Sequence, residues 1–243
     1  MPDPGEPRPR GVPVLRGVIV PVTPFQQNCA ILWDDATKQA LVVDPGGDVD
    51  RILAAIDQTG VTVERILLTH GHLDHAGGAA ALAEALRDRP VAGPFPIEGP
   101  VPIEGPVPIE GPDRRDAFLL EGLAAQAAGY GFEARNVTPD RWLREGDAIV
   151  LGPHRFDVLH CPGHTPGHVV FVNHAARFAL VGDVLFQGSV GRTDFPYGDH
   201  QALIDAITMK LLPLDDDFTF LCGHGPGSTI GAEKANNPFL RGR

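Results

Sequence analysis

The chain has 243 residues, with 31 Asp and Glu against 20 Lys and Arg, a formal net charge of −11, ten His and three Cys. Apolar residues at 43% can fill a sizeable core, which excludes a wholly disordered chain, and three Cys cannot staple this length as a disulfide scaffold. The acidic balance speaks against nucleic acid as a general partner, since that needs a basic surface to release counterions from phosphates.

Residues 1–13, MPDPGEPRPRGVP, are Pro-rich and polar and read as a flexible tail, leaving 14–243 as one domain. The start has no apolar run of the signal-peptide kind, and no stretch of 18 apolar residues offers a membrane span. Cys29, Cys161 and Cys222 are odd in number and lack CxxC spacing, which reads as reduced thiols in a cytoplasmic protein.

Strand patterns cover Gly17–Val22, Cys29–Trp33 and Ala40–Val43. Asp48–Gln58 has helical apolar spacing and ends at Gly60. A short strand, Arg65–Leu68, runs into Thr69-His70-Gly71-His72, and Asp74–Arg89 reads as a helix stopped by Pro90. At 96–112 the pentapeptide Pro-Ile-Glu-Gly-Pro occurs three times, joined by Val. Its prolines forbid helix and interrupt a central strand, so an extended or turn-rich loop is expected. Asp113–Gly129 reads as helix, followed by strands at Asp147–Leu151, Arg155–His160, Val169–Asn173 and Phe178–Val181. An amphipathic helix at Asp199–Leu212 and a strand at Asp217–Leu221 complete the order. This alternation gives a mixed α/β class, two packed sheets with helices outside.

The strongest local signal is His70-Gly71-His72-Leu73-Asp74-His75, four ligand-type residues in six positions. Alternate residues at a strand end lie on one side, so His70 and His72 can converge, while Asp74 and His75 open a helix facing a second point. Imidazole and carboxylate suit Zn, Fe or Mn without a thiolate. His164, Asp183 and His224 follow at later strand ends, each beside a glycine that permits a sharp turn. Five His and two Asp suit two divalent metals a few ångströms apart, bridged by a carboxylate.

At these positions the chain resembles the metallo-β-lactamase superfamily, and within it the small glyoxalase II-like (hydroxyacylglutathione hydrolase-like) branch. The carrying segments are THGHLDHAGG at 69–78, HCPGHTPGHVVF at 160–171, GDVLFQGSVGRTDFPYGD at 182–199 and CGHGPGST at 222–229, with VTPFQQNCAIL at 22–32 and VVDPGGD at 42–48. The resemblance implies an αββα sandwich with a metal centre at one edge. It implies a first metal on His70, His72 and His164, a second on Asp74, His75 and His224, and Asp183 bridging both, zinc before iron or manganese. A bridging hydroxide, held with the help of Asp74 and Asp183, would attack a small S-acyl thioester, with S-lactoylglutathione as the obvious candidate. Arg192 is the candidate contact for a substrate carboxylate, with an ion pair to Asp194 as its competing reading. The 19 residues after His224 are too few for the helical domain that follows in full-length glyoxalase II, so the thioester reaction is expected to transfer better than the identity of the thiol.

The alternative within the superfamily is a persulfide dioxygenase using one Fe(II) on His70, His164 and Asp183, and His224 speaks against it. A metallonuclease is disfavoured by the charge, a β-lactamase by the lack of a signal peptide, and a non-catalytic binding module by the complete ligand set. Of the other histidines, His168 is expected to support a ligand by hydrogen bonding, and His154, His160, His174 and His200 to lie in core, loops or surface. Cys222 is expected to pack rather than react.

Overall fold

The computed structural model describes residues 13–87, 107–131 and 133–241. A five-stranded sheet runs in the order β1 (Leu15–Val22), β2 (Gln27–Asp34), β3 (Gln39–Val43), β4 (Thr62–Leu67) and β5 (Ile109–Glu110). Its first three strands are antiparallel and its last three parallel. The second sheet is ordered β13 (Ser228–Thr229), β12 (Thr219–Cys222), β9 (Phe178–Gly182), β8 (Val169–Asn173), β7 (His154–His160) and β6 (Ala148–Leu151). Only its β9–β12 pair is parallel. The helices are α1 (Val49–Thr59), α2 (Leu73–Ala76), α3 (Ala79–Arg87), α4 (Ala117–Leu120), α5 (Leu123–Tyr130), α6 (His200–Ala206) and α7 (Ile230–Asn236), and β10 (Leu185–Phe186) with β11 (Ser189–Val190) forms a separate hairpin.

Strands apolar on both faces must be covered twice, and that fixes the layers. In β2, Ala30 and Leu32 face the other sheet, while Cys29, Ile31 and Trp33 face helices. Between the sheets, Leu32, Leu41 and Leu67 pack with Phe156, Phe171 and Leu180. On one outer face Ile31, Val42 and Ile66 lie in one cluster with Ile52 of α1 and Leu82 of α3. On the other, Val170, Val181 and Phe220 share a cluster with Leu203 and Ile204 of α6 and Ile230 of α7. The result is the expected αββα sandwich. Among the described residues no helix is long and apolar enough to cross a membrane.

Three expectations need correction. The helix expected over Asp74–Arg89 divides at Gly77-Gly78, where the Gly78 amide donates to the Pro45 carbonyl at 2.9 Å and a Cβ on Gly78 would lie 2.6 Å from that oxygen. The helix expected over Asp113–Gly129 becomes a 3₁₀ turn at Arg114–Asp116 followed by α4 and α5, because the Asp113 side chain caps the turn and Asp116 is drawn inward. The third pentapeptide copy is extended as expected, but it is not all loop: its Ile109 and Glu110 form a two-residue strand paired in parallel with Ile66 and Leu67. Proline is tolerated there because β5 is an edge strand, and the buried Glu110 carboxylate takes Arg65 and Arg141 at 3.1 and 3.2 Å. The first two copies and residues 1–12 lie outside the described residues.

A buried polar tie joins the sheets. Asp34, at the end of β2, accepts the Thr37 amide at 2.8 Å and the His154 Nε2–H, at the start of β7, at 3.1 Å. Burial pushes its carboxyl up, but these donors outweigh burial and hold it below the usual carboxylate range. Asp34→Ala strands both donors and is expected to cost about 1–3 kcal/mol at neutral pH, read as a lower Tm at about 2–4 °C for each kcal/mol. Because the folded pKa is depressed, the Asp34 contribution is complete above about pH 4 and is lost as pH falls through the lower folded value. Melts of both proteins from pH 7 downward therefore show a gap that narrows in acid; a constant gap contradicts the assignment.

Candidate metal centre

Strand ends on one edge of the sandwich supply every candidate ligand. His70 follows β4 and His72 the turn after it, while Asp74 and His75 lie in the first turn of α2. His164 lies on the loop after β7, Asp183 directly after β9, and His224 after β12 with Gly223 between. The parallel pairs β3–β4 and β9–β12 aim their carboxyl ends at this edge, the usual place for a site in sheets with parallel strands.

The seven side chains form two sets. His72 Nδ1 lies 3.1 Å from His70 Nε2 and 3.0 Å from His164 Nε2. Asp74 Oδ2 lies 3.1 Å from His224 Nε2 and 3.9 Å from His75 Nε2. Within each set the ligand-type atoms all lie within 4.8 Å of one another. Asp183 stands between the sets, with Oδ2 3.6 Å from His164 Nε2 and 3.7 Å from His224 Nε2, and Oδ1 3.4 Å from His75 Nε2. Close approach here requires glycine: a Cβ on Gly223 would lie 2.1 Å from Asp183 Oδ1 and 2.5 Å from His75 Cε1.

Each histidine turns one nitrogen inward and anchors the other. His70 Nδ1 donates to the Thr69 hydroxyl at 3.0 Å, whose own proton goes to Asp44 Oδ2 at 2.6 Å. The same Asp44 oxygen accepts from His75 Nδ1 at 2.9 Å. His72 Nε2 pairs with the Tyr197 hydroxyl at 2.8 Å, while His164 Nδ1 donates to the Arg192 carbonyl at 2.8 Å and His224 Nδ1 to the Phe25 carbonyl at 3.1 Å. These bonds orient each ring with its other nitrogen toward the centre, as supports of metal-binding histidines do. His168 does not join either set. Its Nε2 accepts the Asp183 amide at 3.0 Å, and its ring stacks on His70 at 4.6 Å.

The electrostatics divide in the same way. Burial and neighbouring imidazoles hold His70 well below the usual histidine range, and His72 is lowered to about 3, so both rings are neutral donors of lone pairs. His164 is lowered by burial despite the Asp183 charge. In the second set burial alone would depress His75 and His224, yet the carboxylates of Asp183 and Asp74 raise both. Burial likewise pushes Asp183 up, and the positive charge of His75 overrides it, holding the acid far below the carboxylate range. These carboxylates demand positive charge. The inward atoms His75 Nε2 and Asp183 Oδ1 are buried without a hydrogen-bond partner, which is what a metal ligand leaves behind. With no thiolate among them, these imidazole and carboxylate donors fit divalent cations, which would supply the positive charge that protons on His75 and His224 supply without them.

Aromatic side chains flank the centre. Phe195 stacks on Tyr197 at 5.3 Å, Phe118 meets Tyr197 edge-on at 5.3 Å, and Phe25 meets Tyr130 at 5.6 Å. The Arg192 guanidinium lies 4.5 Å over Phe195 and forms a two-toothed pair with Asp194 at 2.8 and 2.9 Å. Its pair with Asp194 is therefore formed, and both side chains remain exposed. Cys222 is buried and directs its thiol to the carbonyls of His224 and Pro226.

Asp44, Thr69 and Tyr197 carry supporting roles that residue spacing did not reveal. Asp44 and Thr69 had one legible sign, a polar residue closing an apolar strand; Tyr197 had none.

Similar proteins share this architecture over nearly the whole chain. The hydroxyacylglutathione hydrolase GloC of Haemophilus influenzae is 44% identical over 227 residues, covering 93% of this chain and 98% of that protein. The crystal structure of the BLEG-1 B3 metallo-β-lactamase superposes with a TM-score of 0.79 at 32% identity, covering 93% of this chain and 100% of that one. TTHA1623, crystallised in a di-iron-bound form, does so with a TM-score of 0.76 at 35% identity, covering 92% and 100%. A family model matches residues 22–224, and on that span, with its fold and its histidine and aspartate sets, the chain belongs to the metallo-β-lactamase superfamily.

Proposed function

We propose that this chain is a binuclear metal-dependent hydrolase of S-acyl thioesters, with hydroxyacylglutathione such as S-lactoylglutathione as its substrate. The observation that carries the reading is Asp183, whose two oxygens face both ligand sets. His70, His72 and His164 hold one metal in this reading, and Asp74, His75 and His224 the other. Divalent ions there supply Lewis acidity and a water acidic enough to serve as nucleophile near neutral pH. Zinc is the preferred ion, with iron or manganese equally compatible in ligand type.

The protein's own groups then need to orient rather than to titrate. Asp74 and Asp183 offer carboxylate oxygens to the reacting region, and the anchored imidazoles keep their lone pairs aimed inward. A thiolate leaves with a pKa of about 8.5, so its departure needs no strong general acid. The relative GloC, named for hydroxyacylglutathione hydrolysis, supports this substrate class. Arg192 is the proposed contact for a glutathione carboxylate. Its exposed pairing with Asp194 is no obstacle, because solvent-facing ion pairs contribute little and exchange readily. A one-iron persulfide dioxygenase is disfavoured by the complete second set, with His224 Nε2 3.1 Å from Asp74.

Metal analysis paired with S-lactoylglutathione hydrolysis tests the reading. The purified chain is expected to carry about two metal ions per molecule, and a strong chelator to abolish turnover. Asp183→Ala is expected to lose the second metal and nearly all activity; full activity with one metal bound shows that the binuclear reading is wrong. Oxygen uptake with glutathione persulfide, or β-lactam cleavage, without thioester hydrolysis reassigns the reaction.

Arg192→Ala is expected to raise KM for S-lactoylglutathione roughly tenfold, the scale of a lost charged contact, with kcat little changed. An acyl thioester of a neutral thiol serves as the comparison, and an equal KM rise for it removes Arg192 from carboxylate recognition.

A further inference from the structure

Asp116 belongs to neither ligand set, yet it touches the loops that carry both sides of the three-histidine set. It ends the 3₁₀ turn before α4 and is fully buried. Its Oδ2 accepts the Gly71 amide at 2.9 Å and the Thr165 hydroxyl at 2.7 Å, and its Oδ1 accepts the Gly167 amide at 2.5 Å. Gly71 separates His70 from His72, Thr165 follows His164, and Gly167 precedes His168. One carboxylate therefore joins the loop after β4, in the first sheet, to the loop after β7, in the second.

Steric fit reinforces the tie. A Cβ on Gly167 would lie 2.6 Å from Asp116 N and 2.7 Å from Asp116 Cγ, and one on Gly71 would lie 2.7 Å from Leu119 Cβ. Both loops are glycine where they close on this turn. The Asp113 amide adds a backbone strap to the Gly167 carbonyl at 2.9 Å. All three side-chain contacts of Asp116 are donors, which match an ionised carboxylate and give hydrogen bonds stronger than neutral ones.

We propose that Asp116 is a positioning residue that sets the separation of His72 from His164, and thereby the metal affinity of the three-histidine site. The inference rests on the metal-centre reading above. The two histidines reach the site from different sheets, and their inward nitrogens stand 3.0 Å apart. Asp116 ties one loop to the other at Gly71, Thr165 and Gly167, nearer His72 and His164 than the direct bond from the Val169 amide to the Thr69 carbonyl at 2.8 Å.

The test is zinc binding by competition with a chromophoric chelator, alongside thermal melts of the metal-free proteins. Asp116→Asn keeps the volume but turns an amide NH₂ toward a donor; Thr165→Val removes one donor and keeps the shape. Asp116→Asn is expected to weaken one of the two zinc equivalents by about 10–100-fold, the usual effect of losing an outer support. Thr165→Val is expected to weaken the same equivalent several-fold, and the other equivalent stays at its wild-type value in both. Asp34→Ala, destabilised at the inter-sheet tie, controls for general loosening and keeps both affinities. Wild-type affinities in the Asp116 and Thr165 variants overturn the proposal, as does an equal loss in Asp34→Ala. If Asp116→Asn does not fold, Thr165→Val decides by the same criterion. A wild-type chain that binds no zinc, iron or manganese sinks the metal-centre reading itself, whereas two tight metals with unaffected variants sink only the role of Asp116.

Discussion

Lone pairs and carboxylate oxygens gathered into one small space repel one another unless positive charge lies between them, and this constraint organises the molecule. Three imidazole nitrogens on one side, two imidazoles and a carboxylate on the other, and Asp183 between them are brought together from strands of two different sheets. No single loop could hold such an arrangement against its own repulsion. The sandwich can, because each ligand-bearing turn begins at the end of a strand whose register is fixed by apolar residues on both faces. The inter-sheet core is therefore also the frame of the site.

Orientation is distributed over groups that are ordinary in themselves. A threonine hydroxyl, a tyrosine hydroxyl, two backbone carbonyls and the Asp44 carboxylate each take one outward ring nitrogen. Asp44 does this twice, directly for His75 and through Thr69 for His70, so it couples the two ligand sets. Its backbone adopts a left-handed conformation, φ 54°, uncommon outside glycine. That cost is borne at the carboxyl end of β3, where the carboxylate must turn back under two histidines.

Much of this was legible in the chain because the chemistry is concentrated. His70 to His75 carry their meaning in six consecutive positions, and the strand periodicities around them reproduce most element positions to within one or two residues. What stayed hidden was what only three-dimensional neighbours decide. Gly77 and Gly78 do not announce whether they end a helix or merely sit inside it; contact with Pro45 settles that. Asp116 lies 45 positions from Gly71 and 51 from Gly167, so no spacing rule could link them. Tyr197 is 125 positions from His72 and resembles any aromatic residue beside a turn. The β5 strand was obscured by its own prolines, which an edge position tolerates and a central one does not.

That edge strand also says something about how this gene can change. The sheet asks for one Pro-Ile-Glu-Gly-Pro unit, with isoleucine beside Ile66 and glutamate between Arg65 and Arg141, and the third copy meets the request. The chain contains two further copies identical in sequence. Gaining or losing a six-residue unit leaves an intact copy directly before Asp113, with the same isoleucine and glutamate for the sheet. Whichever unit is gained or lost, the copy next to Asp113 still brings the isoleucine and glutamate that β5 places beside Ile66, Arg65 and Arg141.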